Sequence, residues 1–132
     1  IPLPVDISIS ADGKGLWVNT FMDGSTRHFD LSNPEAPRQD YILHTGSQVN
    51  MVSQSWDGKR VYVSSSLLAK WDKKGADDEQ FVKLFNWDGK QLTPAWKVDF
   101  YQEKLGRAHH MRFGAASLAS AAAQPDTTVA GR

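Results

Sequence analysis

An all-β fold built from repeated four-stranded units is predicted for this chain by three observations. The run Ser10-Ala11-Asp12-Gly13-Lys14-Gly15-Leu16-Trp17-Val18 recurs 45 residues later as Ser55-Trp56-Asp57-Gly58-Lys59-Arg60-Val61-Tyr62-Val63. A period of roughly 40 to 50 residues with several short strands is that of a β-propeller blade. Each copy places an Asp-Gly pair before a run that alternates aliphatic and aromatic residues. Asp-Gly suits a tight hairpin turn with positive φ at both central positions, and the two-residue alternation is that of a strand with two different faces. When a blade is stacked between neighbours, both faces are buried, which accounts for the scarcity of polar residues in these runs.

In order, Pro4 to Ser10 reads as the first strand, Leu16 to Phe21 as the second and Thr26 to Leu31 as the third, with Asp23-Gly24-Ser25 turning between the last two. The two prolines of Ser32 to Pro37 cannot donate ladder hydrogen bonds, so this segment is a loop leading to an outer strand at Asp40 to His44. Strands at Val49 to Ser55 and Arg60 to Ser65 open the second unit. Leu67 to Asp78 is too polar for a core strand and longer than most hairpins, which marks a functional or contact loop. Gln80 to Asn86, a turn at Trp87-Asp88-Gly89-Lys90 and Ala95 to Phe100 complete the unit. Arg107 to Phe113 reads as one further strand or strand-like segment. From residue 114 to 132, Ala, Ser, Gly, Pro and Thr dominate without an apolar period, which predicts an extended or disordered tail. The expected fold is thus an incomplete β-propeller over residues 1–113, of two blades and a further strand, followed by an irregular tail. A closed propeller takes about four or more blades. The remaining blades are therefore expected on another polypeptide or on other copies of this chain.

Composition narrows the function classes. The 132 residues, 40% hydrophobic with five Trp, suffice for one packed domain. Fifteen basic and fifteen acidic residues balance to a formal net charge of zero, which gives no electrostatic reason to expect nucleic acid or an acidic membrane surface. There is no cysteine, so disulfides and thiolate sites are excluded. No apolar run approaches the ~20 residues of a membrane span. The start Ile1-Pro2-Leu3-Pro4 has neither an initiator Met nor a signal-peptide pattern, which predicts processing or a longer parent.

Few residues carry chemistry on their own. Asp77-Asp78-Glu79 lacks the spacing of a calcium loop, Ser64-Ser65-Ser66 lacks a nucleophile elbow, and the three Asp-Gly-Lys turns lack a phosphate-binding glycine loop. Trp17, Tyr62, Trp71, Trp87 and Trp96 fit core and inter-blade packing better than base stacking. His28 and His44 fall in strands of the first unit and read as structural. His109 and His110 are adjacent, so on a strand they face opposite ways, and at most one of them serves as a metal ligand. A single imidazole does not complete a site, because ligands converge from several strands.

Three separated stretches resemble the C-terminal region of the selenium-binding protein and methanethiol oxidase family. They are Arg27 to Pro34, Asp57 to Leu67 with Trp71-Asp72 after it, and Leu105 to Phe113, in family order. The resemblance covers about residues 4 to 113 and implies that this chain is roughly the last third of a longer propeller. It implies a copper-dependent oxidoreductase acting on a small thiol, which converts methanethiol, oxygen and water to formaldehyde, hydrogen sulfide and hydrogen peroxide. The bacterial members resemble exported proteins, which implies a periplasmic location. His109 lies on the family's Ala-His step, with Met111 and Arg112 following, and so is implied as one copper ligand. His110 stands where the family is often acidic and is the lesser candidate. After Phe113 the family usually continues Pro-Gly-Gly-Asp, whereas this chain has Gly114-Ala115-Ala116-Ser117. That departure motivates a second expectation, a non-catalytic propeller fragment serving as a binding or structural subunit of a larger assembly.

Overall fold

The structure is a computed structural model that describes residues 1–65 and 80–113. The 67–78 loop, Trp71, the acidic run 77–79 and the 114–132 tail therefore lie outside the described residues. Eight strands form two sheets: β1 (Pro4–Ile9), β2 (Gly15–Thr20), β3 (Ser25–Asp30) and β4 (Arg38–His44), then β5 (Val49–Gln54), β6 (Arg60–Ser65), β7 (Phe81–Trp87) and β8 (Leu92–Asp99). Each sheet is an antiparallel meander in chain order. Among the described residues there is no helix, and so none long and apolar enough to cross a membrane.

The two units match in register as well as in sequence. A bulge between Pro4 and Asp6 against Thr20 and Asn19 recurs, 45 residues on, between Val49 and Met51 against Ser65 and Ser64. A second bulge, between His28 and Phe29, recurs between Leu84 and Phe85 at an offset of 56. The difference between 56 and 45 places an insertion of eleven residues in the β6–β7 connection. Bulges bend a strand and sharpen its twist, so equal bulges at equal places give both sheets the same shape for stacking.

The Asp-Gly turns form the expected hairpins by a different geometry. Only the glycines take positive φ, +72° at Gly13 and +69° at Gly58, while the aspartates do not. Asp12 instead uses its side chain, accepting hydrogen bonds from Ser10 Oγ at 2.6 Å and the Lys14 amide at 3.0 Å. Asp57 does the same with Ser55 Oγ and the Lys59 amide. A carboxylate that closes its own turn does the work assigned to backbone dihedrals, so the aspartate stays in an ordinary conformation. β8 begins at Leu92, earlier than the sequence suggests, because Pro94 is tolerated on an edge strand opposite a bulge.

The core lies between the sheets. Trp17 from the first packs with Val49, Val52, Val61, Val63, Phe81, Phe85 and Leu92 of the second, and Tyr41, Leu43 and Trp87 flank them. Fully burying a valine contributes about 1.5–3 kcal/mol, so Val61 and Val63 alone supply several. Polar ties complete the seam. Asp6 Oδ2 accepts the Val52 amide at 2.8 Å, Gln54 Nε2 donates to Ser8 O at 2.9 Å, and the Leu92 amide donates to the Tyr41 hydroxyl at 3.0 Å.

The far side of the first sheet is open. The registers put Ile7, Val18 and Ile42 in one cross-strand row and Ile9, Leu16 and Phe29 in the next. Ile7, Ile9 and Ile42 are 58%, 57% and 47% exposed. The repeat leads to the expectation that Leu16 and Val18 are buried like Val61 and Val63, but they are only half-buried. Their face lacks the neighbouring sheet that covers the equivalent face of the second unit.

Candidate functional site

His109 and His110 lie in the run Arg107 to Phe113, which the sequence reads as a strand. No ladder joins this run to another strand among the described residues. Side chains of the second sheet hold it instead. Ser53 Oγ donates to Met111 O at 2.5 Å and Ser64 Oγ to His109 O at 2.7 Å. Phe113 packs edge-on to Tyr62 with centroids 5.2 Å apart, under the Arg60 guanidinium at 5.9 Å. Ala108 is buried, whereas His109 and His110 are both exposed.

Between the run and the ends of β1 and β5 lies an open cleft of about 340 Å³, lined among others by Ser8, Ser53, Trp56, Met111, Arg112 and Phe113. Neither histidine lines it. Trp56 is about half exposed and Arg112 exposed.

The other titratable candidates are held in structural roles. His28 Nδ1 lies 2.7 Å from Asp40 Oδ1, and its ring packs against Trp17 at 4.7 Å and Trp87 at 5.1 Å. His44 Nδ1 lies 3.0 Å from Asp23 O. Hydrogen bonds from Ser10 and the Lys14 amide pull the Asp12 carboxyl below its ordinary value. Burial pushes the Asp57 carboxyl up, but hydrogen bonds from Ser55 and Lys59 outweigh it and leave the group lowered. Ser64 is an anchor for the histidine run, and Ser65 Oγ accepts the Phe81 amide at 3.3 Å. The sequence reading missed the anchoring role of Ser53 and Ser64. The signal was present, since they stand 45 residues after Ser8 and Asn19, which tie the first sheet to β5.

A family model described as 56kDa selenium binding protein (SBP56) matches residues 1–122. The chain belongs to this family. It is 65% identical over 120 residues to a methanethiol oxidase of Ruegeria pomeroyi, a match that covers 91% of this chain and 28% of that protein. The chain thus spans little more than a quarter of the length of that relative. Among solved structures, a hypothetical selenium-binding protein from Sulfolobus tokodaii matches with a TM-score of 0.62 at 29% identity, over 75% of this chain and 26% of that one. The β-propeller domain of Cps50 (Swd1) from Myceliophteria thermophila matches with a TM-score of 0.54 at 15% identity, over 73% of this chain and 28% of that domain, and this likeness concerns the fold alone.

Among the described residues no three His, Asp or Glu side chains converge as a metal-binding group. The donor type does fit, because imidazole suits copper, and an exposed His109 on an anchored backbone is free to meet ligands from elsewhere.

Proposed function

We propose that this chain is the C-terminal portion of a copper-dependent methanethiol oxidase-like propeller, to whose metal site it contributes His109. The observation that carries the reading is the 65% identity to a methanethiol oxidase, which runs through nine-tenths of the chain. The overall conversion takes methanethiol, oxygen and water to formaldehyde, hydrogen sulfide and hydrogen peroxide, a two-electron oxidation of carbon with dioxygen as the acceptor. Copper, when bound, supplies a redox-active centre for that exchange. His109 would be the ligand from this chain, and the hydroxyl of Ser64 would steady it by holding its carbonyl. His110 is the lesser candidate. The other ligands and blades would come from the remaining polypeptide, and the location that the family resemblance implies for the assembled protein is the periplasm.

His109→Ala in the full-length protein tests this reading. The strand ladders use backbone groups that the substitution leaves untouched, so the fold should persist while copper is lost and peroxide formation from methanethiol falls at least ~100-fold. Unchanged copper by elemental analysis together with unchanged peroxide yield would refute it. A copper-free wild-type protein that forms no peroxide would favour the non-catalytic reading, to which the Gly114-Ala115-Ala116 departure lends support.

A further inference from the structure

One hydrogen bond occurs twice across successive interfaces. Asn19 in β2 donates Nδ2 to Met51 O in β5 at 2.8 Å. Ser64 stands 45 residues after Asn19, at the same place in β6, and donates Oγ to His109 O at 2.7 Å. The surroundings repeat too. Ser8 meets Gln54 of β5, and its counterpart Ser53 meets Met111, one place earlier in the run. Trp17 faces the second sheet, and its counterpart Tyr62 faces Phe113. The run 109–113 thus holds, against the second sheet, the position that β5 holds against the first.

We infer that residues 109–113 are the inner strand of a third blade, and that this strand takes an antiparallel partner from polypeptide outside this chain. The inner strands β1 and β5 each have one ladder partner, β2 or β6. The run has none among the described residues, and an unpaired strand is a template for another. Of the possible partners, a second copy of the chain cannot supply a strand of the β2 or β6 kind, because its own β2 and β6 are already paired on both edges and, among the described strands, only inner and outer ones have an open edge. Residues 114–132, rich in Ala, Ser, Gly, Pro and Thr, lack the aliphatic and aromatic alternation of β2 and β6. The relative extends well beyond the 28% matched here and has chain to spare. The partner is therefore a strand of alternating apolar residues from that remainder, with one face toward Tyr62 and the half-exposed Trp96. The bulge between Pro4 and Asp6 and between Val49 and Met51 maps onto Arg107 to His109. The inference concerns how the propeller continues and holds whether or not the assembled protein oxidises methanethiol.

Amide hydrogen exchange tests it without reference to copper or activity. In the chain alone, the amides of residues 110–113 should exchange close to the rate of unpaired peptide, while those of Val52 and Val63 are protected. When the part of the Ruegeria pomeroyi relative outside the matched region is joined ahead of this chain, exchange at 110–113 should slow at least ~100-fold, with Val52 and Val63 little changed. If the joined protein does not fold, the intact relative supplies the same measurement at its residues aligned with 110–113. Protection already present in the chain alone, or no slowing in the longer protein, overturns the inference.

Discussion

Gly46→Ala is the substitution that most directly tests how the two blades are joined. Gly46 sits in the β4–β5 connection with φ of +150°, a region open to glycine and strained for residues with a side chain. A Cβ there would fall 2.5 Å from Phe81 Cε1, with the ring's Cζ closer still, and 2.9 Å from Lys83 Nζ. Phe81 is almost wholly buried in the inter-blade core, so it cannot swing away without opening a void. Gly58→Ala is the matched control: its φ of +69° is strained as well, but nothing lies within 4 Å of the new Cβ. Left-handed strain costs about 1–2 kcal/mol and is partly offset through the unfolded state. Overpacking adds about 1–3 kcal/mol at Gly46 alone. The difference between the two variants is then about 2 kcal/mol, or about 1 M in urea midpoint for a slope near 2 kcal/mol per M. Urea titrations followed by tryptophan fluorescence measure it. Midpoints that coincide within about 0.3 M would refute the idea that Phe81 packs tightly against this connection.

Three further outcomes are expected. Hydrogen bonds from the Ser32 hydroxyl and amide, then Arg38, lower the Asp30 carboxyl from 3.8 to about 2. Its folded value is depressed, so its contribution to stability is complete above about pH 4 and is lost as pH falls through 2; a carboxyl NMR titration with a midpoint near 3.8 would contradict this. Tyr41→Phe removes the acceptor for the Leu92 amide across the seam and should destabilise by about 1–2 kcal/mol, and an unchanged urea midpoint would mean that water replaces the bond. Ile7→Glu should reduce self-association of the isolated chain in sedimentation, because it breaks an apolar patch that soluble proteins rarely leave open; undiminished association would place the sticky surface elsewhere.

The fold was legible because the repeat writes its own register. Asp12 and Asp57 mark the same corner of two sheets, and every described strand of the meanders falls within a few residues of its alternating run. What the repeat concealed were differences between neighbours. Leu16 and Val61 are equivalent in the blade, yet one faces solvent and the other a second sheet. The Asp-Gly turns show a similar gap, since the residue pair announced a hairpin but the aspartate's hydrogen bonds decided its geometry. At the candidate site, His109 was visible only through resemblance. Among the described residues no three ligand-type side chains converge as a metal-binding group, so nothing beyond the resemblance points to a metal there. The run around it looked like a strand because it occupies a strand's place, even though the partner that would complete its ladder is not in the described chain.

The contact between Trp17 and Trp87 gives the blade seam an optical signature. Their ring centroids lie 4.9 Å apart with planes at 84°, close enough for the excited states of the two indoles to couple. Coupled chromophores in a fixed chiral arrangement produce an exciton couplet in circular dichroism, strongest where the indole transitions are most intense in the far ultraviolet, which independent indoles lack. That couplet reports the docking of one sheet on the other directly, with no label attached, and it would fade when the blades part even if each sheet kept its own strands.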